Sequence, residues 1–555
     1  GAVRARRRRR IAGMNPLADL RAAVEAAAAR VRGQDPPAGA APTLERPPKV
    51  EFGDYSTNAA MLLAPVLGEP PRLIAERLGD ELRAHLDGAL ERVEVAGPGF
   101  LNLFLSDDWF REALGGVLGA GDGYGAASAE VAERILVEFV SANPTGPTTA
   151  ASGRNAAYGD ALARLLELAG HTVQREYYVN DYGTQVRLLG ESIRARARGE
   201  PVAEGGYEGD YVADLARRIP EAADGDVDTV ARAGVDLLLE DIRSTLHRFR
   251  VDFDTWFSEA SLHEGSPSPV DRGFAALEEH GVVYRHEGAL WLRSSAFGDE
   301  KDRVLERATG EHTYLASDVA YHQHKRARGF DRLIDVWGAD HHGYVRRTKA
   351  HFEALGGDPD RLELVIMQFV HVVERGERAS MSKRRGEFVT LDELMDQIGV
   401  DAARWFLLHR SHDRTVELDL DLAREQSAEN PVYYVEYAHA RIASMLRKAG
   451  SERVTVALDG PLGEAPLHPA ERGLVKRLIA FPFEAAEATE RREPHRIATY
   501  ALELAQDFTV FYRDCQVVGV EPETLENQRI ALSVAAQRVI ARSLGLLGVD
   551  APDAM

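Results

Sequence analysis

The sequence predicts an α/β protein organised around a doubly wound parallel sheet, with a small α+β domain before it and an all-helical domain after it. Three patterns carry this reading. Residues 135–140 form a nearly continuous apolar run, as expected of a parallel strand buried on both faces. A turn-rich stretch, 141–152, leads into residues 153–169, where Ala157, Ala161, Leu162, Leu165, Leu166 and Leu168 recur at helical spacing before Gly170. Residues 173–179 then read as a second strand. Strand, helix and strand make one right-handed βαβ unit. Ligands of such sheets sit at the carboxyl ends of the strands, which puts the site around 141–153.

The other elements follow in order. Small apolar residues recur at helical spacing over 15–31, and 35–48 is a Pro/Ala-rich linker. Residues 50–106 read as α+β, with strands at 93–95 and 100–105 broken by Gly97, Pro98 and Gly99. The Gly/Ala-rich segment 115–129 marks a boundary. Residues 186–290 are mostly helical and acidic, too long for a crossover, and read as an insertion between two halves of the sheet. Strand signals resume at 333–336 and 362–370. From Leu391 helical patterns run to the end, broken near 460–469 and 519–522. The expected organisation is therefore a basic tail at 1–13, an N-terminal domain at 14–110, a linker at 111–130, a sheet domain at 131–390 and a helical domain at 391–555.

The composition excludes some classes. With 45% apolar and 28% charged residues over 555 positions, wholesale disorder is out. The single cysteine, Cys515, builds neither an internal disulfide nor a cysteine-rich zinc site, which points to a reducing, cytoplasmic compartment. No apolar stretch is long enough to predict a membrane span. The net charge is −21, yet residues 1–13 hold six arginines, Arg4 and Arg6 to Arg10, and no acid, so the rest carries −27. That stretch has too few apolar residues for a signal peptide and reads as a disordered tail or upstream extension, a nucleic-acid-binding arm being the other reading. Only seven basic residues are lysines, which gives weight to a lysine in a suggestive loop.

A glycine-containing turn feeding a helix presents free N–H groups and the positive end of a helix dipole to an anion such as a nucleotide phosphate. Residues 141–155 have that form, but they are neither GxGxxG nor a P-loop, and periodicity alone reads them as an ordinary βα turn. Residues 139–146 and 154–160, however, resemble the signature of class I aminoacyl-tRNA synthetases, and specifically of arginyl-tRNA synthetases. In that family the intervening residues read Leu-His-x-Gly-His, the HIGH motif. Here Thr148 to Ser152 reads Thr-Thr-Ala-Ala-Ser. Further segments resemble the same family: 53–58 and 95–100 its N-terminal domain, which touches the tRNA elbow, and 177–185 the segment after its second strand. Residues 302–325 and 336–349 resemble the second half of its nucleotide-binding fold, and 430–442 and 541–555 its anticodon-binding helices. Ala379 to Arg384, Ala-Ser-Met-Ser-Lys-Arg, resembles the KMSK loop that closes over ATP phosphates, with Ser380 in place of its first lysine.

The resemblance implies a class I synthetase Rossmann-like fold and a two-step reaction using ATP, Mg²⁺, L-arginine and tRNA(Arg), in a monomer that does not bind a membrane. Thr149, Ser152 and Lys383 fall at its catalytic positions. Pro144, Gly146, Gly153, Asn155, Asp340, Met381, Ser382 and Lys383 fall at ATP-binding positions. Glu138, Ser141, Asn143, Tyr314, Asp318 and His342 fall where arginine is held, and a guanidinium does need carboxylates at bidentate range. Asn58, Tyr433, Tyr437, His439 and Arg441 fall at tRNA-contacting positions. Rings and cations suit splayed RNA bases, although the spacing of Tyr433, Tyr437 and Arg441 fits a core stripe as well. Adjacent His341 and His342 do not readily face one metal and lack ligand spacing, so no metal site is expected. Hydroxyls at 149 and 152 cannot become cationic as imidazoles do, and each lost donor costs on the order of a hundredfold in rate. The sequence therefore supports either an impaired ligase or a tRNA-binding pseudo-synthetase.

Overall fold

The computed structural model describes residues 15–33, 42–378 and 389–555. Helix α1 (Pro16–Arg32) starts at Asn15, whose side chain caps Ala18 N at 3.3 Å, and stops at the left-handed Gly33. Strands β1 (Leu44–Glu45), β2 (Tyr55–Thr57), β3 (Leu90–Ala96) and β4 (Phe100–Leu105) form an antiparallel sheet in the order β1-β2-β4-β3. Helices α2 (Ala59–Leu67) and α3 (Pro71–His85) cover it, burying Ile74, Leu78 and Leu82. Helix α4 (Asp107–Ala120) follows, capped by Ser106. Residues 111–120, expected to begin a linker, are thus helical: Ala113, Leu114 and Val117 give them a buried face despite the neighbouring glycines.

The central sheet is parallel throughout, in the order β12-β11-β5-β6-β7, from β5 (Arg134–Glu138), β6 (Thr172–Val179), β7 (Thr255–Ser258), β11 (Arg332–Gly338) and β12 (Leu362–Met367). Helix α5 (Ala150–Ala169) crosses between β5 and β6. Helices α6 (Thr184–Arg198), α7 (Asp210–Arg218) and α8 (Val227–Arg248) form a satellite core before β7. The expected single insertion over 186–290 is therefore divided by a strand of the main sheet. Beyond β7, α9 (Pro269–Glu279) shares a core with an antiparallel sheet of β8 (Val283–His286), β9 (Ala289–Leu292) and β10 (Arg303–Glu306), where a mostly helical stretch was expected. Helices α10 (Tyr314–Ala327) and α11 (Val345–Ala354) complete the second half of the sheet.

Strands β13 (Val370–Glu374), β14 (Glu377–Arg378) and β15 (Val416–Asp419) make a small sheet in which β15 runs parallel to β13. Helix α12 (Leu391–Leu408), with a non-helical Gly399, and α13 (Leu420–Arg424) flank it, so β15 interrupts the all-helical pattern expected from 391. The closing bundle comprises α14 (Pro431–Ala449), α15 (Ser451–Asp459), α16 (Pro469–Glu490), α17 (His495–Asp514) and α18 (Glu523–Leu547). By length and composition α18 is apolar enough to cross a membrane, but its most apolar window is 72% buried inside the protein, as in the core helix of a bundle. The opening domain is fastened to this bundle. Lys476 Nζ donates to Asp54 at 2.8 Å, Arg472 pairs with Asp107 at 2.7 Å, and Tyr124 OH donates to the Leu478 carbonyl at 2.9 Å.

Candidate active site at the carboxyl edge of the sheet

Strand β5 ends at Glu138, and the chain then turns sharply: Val140 and Ser141 have φ of 68° and 41°, a left-handed region that non-glycine residues seldom occupy. The turn is held from several sides. Val140 N donates to Asn155 Oδ1 at 2.8 Å, and Asn155 Nδ2 donates to the Val336 carbonyl at 3.1 Å. Ser141 Oγ donates to Glu138 at 2.9 Å and accepts from Tyr178 N at 3.1 Å. Asn143 accepts from Asn180 at 3.0 Å and donates to Gln185 at 2.7 Å. Pro144 and Gly146 are buried, with Tyr211 of α7 donating to the Thr145 carbonyl at 2.8 Å. Pro144, Gly146 and Asn155, expected at the nucleotide, thus brace the turn.

Thr149 is the N-cap of α5, accepting from Ser152 N at 3.2 Å with its Oγ1 3.2 Å from Ser152 Oγ. The turn is stitched to α12: Ala150 N donates to the Val389 carbonyl and Leu391 N to that of Thr148. A Cβ on Gly153 would lie 2.7 Å from Leu391 Cδ1, so any larger residue here would require the Leu391 side chain to shift. The next residue, buried Arg154, donates to the carbonyls of Gln368 at 2.6 Å and Ser411 at 2.9 Å; burial brings its pKa down to about 10. Met381, Ser382 and Lys383 lie outside the described residues.

Two groups of acids meet at this edge. In the sheet, Asp335, Glu138 and Glu176 stand in register on β11, β5 and β6. Lys325 Nζ donates to Glu138 at 2.5 Å and to Asp335 at 2.8 Å. Burial raises the Glu138 carboxyl above its ordinary range against the pull of Lys325. For Asp335, Lys325 and His322 overcome burial and hold it below the ordinary carboxylate range.

The second group surrounds Tyr178, whose phenol is raised by burial and by the charges of Glu259, Asp318, Glu138 and Asp181. Glu259 follows β7 and Asp181 follows β6, both at carboxyl ends of strands. Asp181 accepts from Ser258 Oγ at 2.6 Å and Ala260 N at 2.9 Å. Glu259 is 6% exposed and hydrogen-bonded by Ser317 and Tyr178; burial and the charges of Asp318 and Asp181 push it up to about 7. Burial likewise raises Asp318, on the first turns of α10. Tyr314, at the start of that helix, is 78% exposed. Asp340 and His342 are exposed on a short 3₁₀ turn after β11.

Farther away, Tyr433 and Tyr437 stack at 6.2 Å on α14, and Arg441 donates to Tyr437 OH at 3.0 Å, leaving Tyr437 and Arg441 exposed. His439 differs from the expectation of an RNA-facing group. It is buried, 2.9 Å from the Pro552 carbonyl, because it sits on the core side of the helix. Asn58 accepts from Thr43 N at 2.9 Å and anchors the approach to β1.

Comparison with known proteins gives one answer in all three parts of the chain. Three family models match: "Arginyl tRNA synthetase N terminal domain" at 18–105, "tRNA synthetases class I (R), catalytic domain" at 116–204 and 221–445, and "DALR anticodon binding domain" at 435–555. An arginine–tRNA ligase of Geobacillus thermodenitrificans is 44% identical over 527 residues, covering 92% of this chain and 94% of that protein. The chain belongs to the arginyl-tRNA synthetase family. The arginine–tRNA ligase of Bacillus subtilis is 43% identical over 529 residues, with the same coverage. The solved Thermus thermophilus arginyl-tRNA synthetase superposes with a TM-score of 0.76 at 25% identity, covering 97% of this chain and 100% of that one.

Against this arginyl-tRNA synthetase fold, Glu138, Ser141, Asn143 and Asp318 lie together at the carboxyl edge, with Thr149 and Ser152 at the adjoining helix start. The sequence reading missed Asp181, Glu259 and Lys325. The first two carried a usable signal, since each follows a strand of the parallel sheet, but β7 was hidden within a stretch read as helical. Lys325 lies on a helix face with no local mark beyond the scarcity of lysine.

Proposed function

We propose that this chain is an arginine–tRNA ligase. The arginine carboxylate attacks the α-phosphorus of ATP, taken as its Mg²⁺ complex, and pyrophosphate leaves. A terminal ribose hydroxyl of tRNA(Arg) then attacks the carbonyl carbon of the arginyl-adenylate, and AMP leaves. The observation that carries this reading is the group of carboxylates around Tyr178, at the carboxyl edge of the sheet that also carries the start of α5. Asp318, Glu259 and Asp181 hold the guanidinium, a cation whose charge relieves their crowding. Ser141, Asn143 and Tyr314 take the rest of the amino acid, with His342 at the rim. Donors at the start of α5 and Asp340 meet the nucleotide, and Met381, Ser382 and Lys383 bind its phosphates.

In this assignment residues 14–110 hold the tRNA body, 131–390 carry the chemistry and 391–555 read the anticodon loop through Tyr433, Tyr437 and Arg441. The protein works as a cytoplasmic monomer. A second reading, a tRNA-binding pseudo-synthetase, is favoured by one observation: the hydroxyls of Thr149 and Ser152 face each other at 3.2 Å where the family has imidazoles. Calorimetry with arginine, lysine and citrulline, together with arginine-dependent charging of tRNA(Arg), separates the two. A ligase binds arginine alone of the three and charges tRNA, whereas a pseudo-synthetase binds tRNA and charges none.

A further inference from the structure

Asp335, Glu138 and Glu176 occupy the same level of three adjacent parallel strands, so their side chains share one face of the sheet. Their exposures are 0%, 6% and 0%. Three like charges in a sheet interior are intolerable unless each finds a partner. Helix α10 supplies the partners from one of its faces. Tyr321 OH and Arg328 donate to Glu176 at 2.8 and 2.5 Å, His322 meets Asp335 at 3.2 Å, and Lys325 reaches both Asp335 and Glu138. Positions 321, 325 and 328 are spaced by four and three residues, as one helical stripe requires.

The stripe continues to the site at both ends of the network. Asp318 lies one turn earlier on α10, among the acids around Tyr178. Glu138, gripped from below by Lys325, accepts Ser141 Oγ from above, and that hydroxyl also receives Tyr178 N. Lys325 itself is fully buried.

We propose that Lys325 is a positioning residue for arginine: it holds one oxygen of the Glu138 carboxylate, so that the other oxygen keeps Ser141 in its left-handed turn at the edge where arginine is held. The ammonium is thus a permanent internal cation that fixes this strand end whether or not the ligand is bound. This rests on the arginine-binding reading of the site.

The test is a double-mutant cycle on arginine affinity, read by calorimetry on the full chain. Lys325→Met and Ser141→Ala each weaken arginine binding by about tenfold. Because both act through Glu138, the combined variant is no weaker than the worse single one. Affinity for tRNA, read by filter binding, stays within twofold, which a general loss of structure would not allow. Should Lys325→Met fail to fold, Glu138→Gln replaces it in the cycle with the same expectation. Arginine affinity within twofold of the parent in Lys325→Met, or losses that multiply in the double variant, overturns the proposal. A parent chain that binds no arginine overturns the functional reading first, and this one falls with it.

Discussion

Arg404 on α12 and Asp160 on α5 form a buried ion pair with nitrogen and oxygen 2.5 Å apart, both side chains almost wholly removed from solvent. The same guanidinium donates to the Leu547 carbonyl at the end of α18 and to the Phe249 carbonyl after α8, at 2.7 and 2.8 Å. One side chain therefore joins the helix that begins at the signature turn to the last helix of the chain.

Asp160→Asn leaves that guanidinium buried without its counter-charge. Loss of one member of a buried pair costs roughly 3–5 kcal/mol, because the remaining charge is uncompensated. Urea unfolding of the variant tests this. A midpoint equal to that of the parent chain would show that the carbonyls alone suffice.

Restoring imidazoles at the start of α5 raises activity. The triple replacement Thr149→His, Ala151→Gly and Ser152→His returns two donors that become cationic, each carrying on the order of a hundredfold in rate. Arginine-dependent charging of tRNA(Arg), at saturating arginine and ATP, measures the gain. An unchanged kcat would mean that hydroxyls at 149 and 152 serve as well.

Arginine binding depends on pH through Glu259. Burial first, then Asp318 and Asp181, raise this carboxyl to about 7 against the hydrogen bonds of Ser317 and Tyr178, so below that pH the free protein holds it neutral. A bound guanidinium favours the ionised form, so binding releases a proton there and weakens by about tenfold per pH unit as pH falls below 7. Calorimetry in buffers of different ionisation enthalpy counts the proton, and Glu259→Gln abolishes its release.

A stability change of opposite use sits at Glu436 on α14. Burial and the charges of Asp401 and Asp550 raise it to about 8 despite Arg250. The folded state keeps this proton while the unfolded chain gives it up near the ordinary value of 4.5. Stability from this group is therefore present below pH 4.5 and lost as pH rises toward 8. Glu436→Gln stabilises the protein at pH 8.5 by roughly 1–3 kcal/mol and changes little at pH 4, which thermal melts at the two values decide.

The sequence reading located β5, α5 and β6 because a strand buried on both faces is a continuous apolar run and a packed helix repeats every three to four residues. The same logic failed for β7. Thr255, Trp256, Phe257 and Ser258 are only partly buried at the sheet edge, and four residues are too few to show a period. Missing β7 hid Glu259, which follows it. Glu138 was located correctly as a strand-end acid, but its partner is 187 residues away, and no pattern local to either residue announces a pair across that distance. His439 was misplaced because a stripe of rings and cations looks alike whichever side of the helix faces the core.

The bonds from Asp54, Asp107 and Tyr124 into α16 have a mechanical meaning. The two ends of the polypeptide are buckled to each other around the sheet, so the covalent link over residues 128–132, beyond Tyr124, is not what keeps them together. A protease nick there would leave a particle that elutes intact from a sizing column and parts only in denaturant.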